Sequence, residues 1–286
     1  MKKILVTGAN GQLGQCLQKI SSQFEEFEFI FTDSETLDIT NKEEVNDFFW
    51  QNAPDFCINA AAYTAVDLAE TDIEKAFLVN ADGTENLAEA CAENNAQFIH
   101  VSTDYVFDGE NNLAYTEEDF TNPLGVYGAS KLAGDELALE VNPCSVILRT
   151  SWVYSEFGKN FVKTMLNLFA TKEELSIVAD QFGQPTNAND LAEAIMKIIK
   201  SEKITPGIFN FSNLGRISWF DFAEKIAELS EAKIKLNAIE TSQYPTPAKR
   251  PKNSVLDLDK ISKTYGIQLK PWEESLEDCV QILQNN

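Results

Sequence analysis

Short apolar runs alternate with helix-length amphipathic stretches through the first half of the chain. Ile4-Leu5-Val6, Glu28–Thr32, Asp55–Asn59, Gln97–Val101 and Ser145–Thr150 read as strands. The first is apolar at consecutive positions, as expected of a strand buried on both faces. Between them, Gln12–Ser22, a segment to about Gln51 opened by the capping-box pattern Thr40-Asn41-Lys42-Glu43, Asp72–Asn95 and Tyr127–Leu139 read as helices. The third has an imperfect inward stripe, with polar Asn80 among Ala76, Phe77, Leu87, Ala88 and Cys91. Regular strand–helix alternation implies an α/β fold built on a doubly wound parallel sheet.

After Trp152 the pattern loosens. Helices are expected near Asn160–Ala170, at Asn189–Ile199 and from a capped start at Ser218 to Leu229, with a short one closing the chain. The polar turn Asp180–Thr186 and the Pro-stiffened Tyr244–Pro251 lie between them. The expected division is a dinucleotide-binding domain over 1–152 and mainly a smaller α/β substrate-binding lobe over 153–286, with some segments of the latter returning to the first domain. A chain of 286 residues is long enough for both.

The first strand runs straight into Thr7-Gly8-Ala9-Asn10-Gly11-Gln12-Leu13-Gly14. Glycines at such spacing permit a tight turn, close approach of backbone to a pyrophosphate and close helix–strand packing, and the helix start offers free N–H groups to phosphate. Gly8, Asn10, Gly11, Gln12, Leu13 and Gly14 are therefore candidate cofactor contacts. Nineteen residues past Gly14, Asp33 ends the second strand, where an acid meets the ribose hydroxyls of NAD. Asp33 could equally cap a turn, leaving Glu35 or Asp38 as the acid, with Ile39 on the same edge. Ala61, Ala62 and Tyr63 follow the third strand, where small residues let a cofactor lie against the backbone.

Tyr127 and Lys131 stand four residues apart inside a helical run, hence on one face. A neighbouring cation favours the ionised phenol, so the pair reads as a general acid with its partner. The long Glu110–Val126 loop leading to it is of the functional or mobile kind. His100, the single histidine, sits within a strand and reads as a core imidazole. The five cysteines show no metal-like spacing and read as reduced thiols.

Acidic residues outnumber basic ones 45 to 23, a net charge of −22 that opposes nucleic acid and anionic membranes as partners. The Lys249-Arg250-Pro251-Lys252 knot is a local exception that suits a small phosphorylated ligand or a solvated loop. The opening apolar run is too short for a signal peptide, and no stretch approaches ~18 apolar residues, so a cytoplasmic location is expected.

Together, TGxxGxxG at Thr7–Gly14, Thr103 after a strand and YxxxK at Tyr127–Lys131 resemble the extended short-chain dehydrogenase/reductase family over nearly the whole chain. The runs Asn59–Asp67, Ser102–Gly109, Arg149–Tyr154, Asp180–Thr186 and Pro247–Pro251 narrow the resemblance to its keto-sugar reductases. That resemblance implies NADPH or NADH as cofactor and a nucleotide sugar as substrate. The implied reaction reduces the 4-keto group of dTDP-4-dehydro-β-L-rhamnose. It assigns proton donation to Tyr127, partnership and ribose binding to Lys131, and carbonyl hydrogen bonding to Thr103. Asp104, Tyr105 and Trp152 take sugar-contacting positions, with Arg250 set to clamp a diphosphate. Asn80 is a supporting amide in the cofactor half. The hydride chemistry needs no metal, and a homodimer is compatible with the family. Rival readings are another nucleotide-sugar reductase or epimerase, and a non-catalytic dinucleotide-binding regulatory subunit, which would not require Thr103, Tyr127 and Lys131 together.

Overall fold

A computed structural model describes residues 1–285. Its centre is a six-stranded sheet formed by β1 (Lys2–Thr7), β2 (Phe27–Phe31), β3 (Phe56–Asn59), β4 (Gln97–Thr103), β5 (Val146–Thr150) and a later strand, Gly207–Asn210. Every pairing in this sheet is parallel, and the spatial order is Gly207–Asn210, β5, β4, β3, β1, β2. The chain therefore crosses back over β1 between β2 and β3. In open sheets the crevice left at such a reversal, outside the carboxyl ends of the strands, is where ligands bind.

Helices cover both faces: α1 (Gln12–Ser21), α2 (Lys42–Asn52), α3 (Val66–Ala69), α4 (Ile73–Phe77), α5 (Gly83–Glu93) and α6 (Val126–Val141), followed by α7 (Phe161–Phe169), α8 (Ala188–Ile199) and α9 (Trp219–Leu229). One apolar layer joins Ile4, Val6, Leu17, Ile58, Ile99 and Leu148 to Leu191, Ile195 and Ile198 of α8. The other packs Leu5, Cys57, Phe98 and Ile147 against Val45, Phe49, Leu87 and Cys91. Each such aliphatic side chain, fully buried, contributes roughly 1.5–3 kcal/mol by leaving water. A third cluster, with Tyr154, Met165, Phe222, Ile226, Trp272 and Leu276, forms the core of the later lobe.

Three local readings change. Helix α2 is capped by Asn41, whose side chain accepts from Glu44 N, so the start lies one residue later than the Thr40 box. Thr40 instead donates to Asp38 Oδ1 at 2.7 Å. The long Asp72–Asn95 segment is interrupted by a π-helical turn, Leu78–Asp82, that carries Asn80. An inserted residue of this kind offsets the 3.6-residue stripe, which explains its imperfection. The Glu110–Val126 loop has no regular element but is pinned at Tyr115, which is 3% exposed and exchanges 2.7 Å backbone hydrogen bonds with Val255 and Asp257. Cys16, Cys57, Cys91, Cys144 and Cys279 are all free thiols. Among the described residues no helix is long and apolar enough to cross a membrane, and no group of three or more His, Cys, Asp or Glu residues could hold a metal.

Candidate active site

At the reversal of strand order the chain turns tightly. Gly8 has φ +68°, and a Cβ there would lie 2.6 Å from the Ala61 nitrogen on the neighbouring strand end. A Cβ on Gly14 would lie 2.4 Å from the Gly8 carbonyl oxygen, so α1 could not approach the turn with any larger residue there. Gly11 N–H closes the turn on Gly8 O at 2.9 Å. The cleft above it, about 420 Å³, is bordered by Gly8, Asn10, Gly11, Asp33, Asp38, Ile39, Ala61 and Ala62 among others.

Asp33 caps its turn and also borders the cleft. Its carboxylate caps the following turn, accepting from Glu35 N and Thr36 N at 3.1 Å each, and also receives Asn10 Nδ2 at 2.6 Å at the cleft edge. Hydrogen bonds from Thr36 first, then from Glu35, hold its pKa below the usual carboxylate range. The cleft border carries Asp33, Glu35 and Asp38 and no Lys or Arg. Such a narrow, backbone-walled cleft with an acidic far end fits an adenine dinucleotide whose ribose hydroxyls meet carboxylate. Gly8, Asn10 and Gly11 would face the pyrophosphate.

A second cavity, about 800 Å³, shares Gly11, Ala60 and Ala62 with the first and continues between the two lobes. It is lined by Gln12, Leu13, Thr103, Asp104, Tyr105, Tyr127, Lys131 and Trp152, and also by Gly158, Lys159, Asn160 and Trp219. The Trp152 and Trp219 rings stack with centroids 3.5 Å apart. Trp152 is held at φ +45°, a left-handed conformation that costs energy for a bulky residue. Its indole is admitted by Gly183, where a Cβ would sit 2.5 Å from the ring.

Tyr127 is half-buried in this cavity, and its ring meets Tyr105 edge-on at 5.6 Å. Burial pushes its phenol up to about 12, with Asp104 and Asp135 adding to the rise and a hydrogen bond with Thr103 opposing it. This corrects the expectation of a lowered pKa. The ammonium of Lys131 does not face the phenol; Nζ donates to Val101 O at 2.8 Å and lies 3.0 Å from His100 Nε2. Lys131 is 1% exposed, and burial brings its pKa down to about 8 against the pull of Asp135. Tyr127 is thus a firmly protonated hydroxyl. Thr103 Oγ1 donates to Asp104 Oδ1 at 3.1 Å, while Asp104 Oδ2 is buried without a hydrogen-bond partner. Burial raises Asp104 to about 6.

Some expected contacts stand outside both cavity linings. Asn80 receives Tyr63 N at 2.8 Å and donates to Tyr63 O at 3.1 Å and to Ser130 Oγ at 3.0 Å, tying the β3 exit to α6. Tyr63 turns its hydroxyl to Asp72 at 3.1 Å, and Gly14 packs behind the turn. Arg250 forms a fork on Asp67, with NH2 to Oδ2 at 2.8 Å. Conversely, Lys159, Asn160 and Trp219 escaped the sequence reading. A Gly-Lys-Asn triplet just before a helix was their available signal, but Trp219 had none.

A dinucleotide cleft at the strand reversal, joined to a cavity holding Thr103, Tyr127 and Lys131, defines an extended short-chain dehydrogenase/reductase. Comparison narrows this. The model of the RmlD substrate binding domain family matches residues 1–285. The dTDP-4-dehydrorhamnose reductase of Aggregatibacter actinomycetemcomitans is 45% identical over 97% of this chain and 98% of its own. A dTDP-4-dehydrorhamnose reductase structure from Clostridium acetobutylicum superposes with TM-score 0.95 at 44% identity, covering 99% of each chain. One from Bacillus anthracis, solved in complex with NADP, superposes with TM-score 0.95 at 39% identity over 99% of this chain and 100% of that one. The chain belongs to this family of dTDP-4-dehydrorhamnose reductases.

Proposed function

We propose that the protein reduces the 4-keto group of dTDP-4-dehydro-β-L-rhamnose to give dTDP-L-rhamnose in the cytoplasm, with Tyr127 as proton donor and NADH or NADPH as cofactor. The observation that carries this reading is the continuity of one cleft. Its glycine-walled arm suits a dinucleotide, and its other arm presents the hydroxyls of Thr103 and Tyr127. When bound, the nicotinamide supplies the hydride.

The chain's own residues do the rest. Tyr127, held protonated by burial, keeps its proton until an alkoxide strong enough to take it develops beside it. Thr103 offers a second hydroxyl to that oxygen. Moving its proton from Asp104 Oδ1 to the substrate leaves that carboxylate oxygen to accept from a sugar hydroxyl. The stacked indoles of Trp152 and Trp219 form an apolar wall against which a deoxysugar can pack. Lys159 at the cavity edge and Arg250 beside Tyr105 are the cations within reach of a diphosphate.

The test is cofactor oxidation with enzymatically prepared dTDP-4-dehydro-L-rhamnose, run beside Tyr127→Phe. Wild-type turnover is expected, with a loss of ~10²–10⁴ in the variant, the usual contribution of a positioned general acid, and unchanged NADH binding. Turnover by the variant at the wild-type rate would remove Tyr127 from the mechanism. Absence of turnover in a wild type that binds cofactor would remove the substrate.

A further inference from the structure

His100 is fully buried on β4, and hydrogen bonding dictates where its proton sits. Asn59 Oδ1 accepts from the Ala61 backbone N–H at 3.1 Å and from Thr7 Oγ1 at 2.7 Å. A backbone N–H can only donate, so that atom must be the amide oxygen, and Asn59 Nδ2 must be the atom 3.0 Å from His100 Nδ1. Nδ2 in turn can only donate. His100 Nδ1 is therefore bare, and a neutral ring carries its proton on Nε2, which faces Lys131 Nζ at 3.0 Å. An Nε2–H cannot donate to an ammonium. The contact is a hydrogen bond only when Lys131 is an amine.

We propose that His100 is a positioning residue for the reaction: locked by Asn59 as the Nε2–H tautomer, it docks Lys131 in its amine form, so that protonation of Lys131 breaks the dock and frees the ammonium toward Tyr127. A waiting acceptor completes the exchange. Asp135 Oδ1 lies 3.8 Å from Nε2, with the Ser102 hydroxyl as its other neighbour and room to accept a further proton, while its Oδ2 is held by Arg149 Nε at 3.2 Å. When Lys131 leaves, Nε2–H turns to Asp135.

The charged and titratable groups around Lys131 are consistent with such a device. From its own helix come Tyr127 and Asp135, from β4 and the turn after it His100 and Asp104, and from β5 Arg149. The π-turn and α5 contribute neutral Asn80 and Thr84 to the same network. The protons balance. Tyr127 gives its proton to the substrate oxygen, the Lys131 ammonium returns one to the phenolate, and the resulting amine docks on His100 until a solvent proton recharges it. A phenol near 12 takes a proton downhill from an ammonium near 8.

The inference rests on the proposed reaction only in pairing Lys131 with Tyr127, and its first test needs no substrate. His100 is the single histidine, so ring-¹⁵N-labelled histidine in the full, tag-free chain gives a single pair of ring nitrogens. The expected spectrum shows a bare Nδ1 and a protonated Nε2 that do not titrate between about pH 5.5 and 8.5, unlike an ordinary imidazole. Above about pH 8, where Lys131 is an amine, Lys131→Met should shift the Nε2–H resonance, because its acceptor is gone. A protonated Nδ1, an imidazolium, or an Nε2–H indifferent to Lys131→Met would each overturn the proposal. The second test is the pH profile of His100→Gln, whose amide oxygen accepts from the ammonium. Its alkaline limb of kcat should rise by about one pH unit with KM for the nucleotide sugar within about twofold. A limb that stays or falls would overturn the docking role. A wild type that shows the expected spectrum but no turnover would instead count against the reaction alone.

Discussion

Lys131 is the site's most costly residue, and replacing it should make the protein more stable while ending its activity. Its pKa falls from 10.5 to about 8 because an ammonium is taken out of water. At ~1.4 kcal/mol per pKa unit, the folded chain carries on the order of 3 kcal/mol of destabilisation whenever Lys131 is charged. Lys131→Met keeps the stem and removes the charge. It also removes the hydrogen bond to Val101 O at 2.8 Å and the contact with His100. At ~2 kcal/mol for the charge-assisted bond to Val101, with the His100 contact adding nothing while Lys131 is an ammonium, a net gain of about 1 kcal/mol remains near neutral pH. For a chain of this size that is a Tm increase of ~2–4 °C. The sign with pH is fixed. Because the folded pKa is lowered, the unfolded chain binds more protons between about 8 and 10.5, so wild-type stability rises across that window and the variant does not follow. Thermal unfolding of both proteins from neutral to alkaline pH should show the variant ahead below about 8 and behind by 10.5. A variant less stable than wild type at neutral pH, or a gap independent of pH, would refute the argument.

Arg250→Ala should raise KM for the nucleotide sugar ~10-fold, the loss of a charge-assisted hydrogen bond, with NADH affinity unchanged. Asp67, left without its partner but 43% exposed, is rehydrated, so urea unfolding should register less than ~1 kcal/mol; an unaltered KM would return Arg250 to a purely structural pairing. Asp33→Ala should weaken NADH ~10-fold in a fluorescence titration and weaken NADPH less, because a 2′-phosphate gains from losing a carboxylate. Equal losses for both cofactors would show that Asp33 acts only through its turn.

The sheet was legible because its signal is local. Ile4-Leu5-Val6 and Val146-Ile147-Leu148 are apolar at consecutive positions, and a strand buried on both faces needs little more. The glycine turn and the Tyr127–Lys131 spacing are local too. What escaped depends on partners distant in sequence. The direction of the Tyr127 shift required knowing that Lys131 turns away to Val101 and His100. His100 looked like an inert core imidazole because its partners, Asn59 on β3 and Lys131 and Asp135 on α6, come from two other segments. The strand Gly207–Asn210 is another case. Nothing in its four residues says that they extend the main sheet beside β5 and not the later lobe.

The same reasoning explains why the glycine turn announces a class, while the narrower resemblance is carried by runs spread along the chain. The proposed cofactor cleft needs little more than one turn and one strand end, Gly8 against Ala60 and Ala61, which any enzyme using a dinucleotide can share. The proposed sugar wall is assembled from three separate places. Trp152 follows β5 in a strained left-handed conformation, Gly183 leaves room for its indole, and Trp219 arrives from the start of α9 to stack on it. Strain at Trp152 is retained because the stack and the glycine over-determine it. A side chain on Gly183 or loss of the Trp219 ring would let Trp152 relax, leaving the cofactor cleft intact and the sugar without its wall. On the proposed function, substrate recognition resides in a juxtaposition that no single run of the sequence contains, and the Asp180–Thr186 and Arg149–Tyr154 runs, two of those that carry the narrower resemblance, supply two of its three parts.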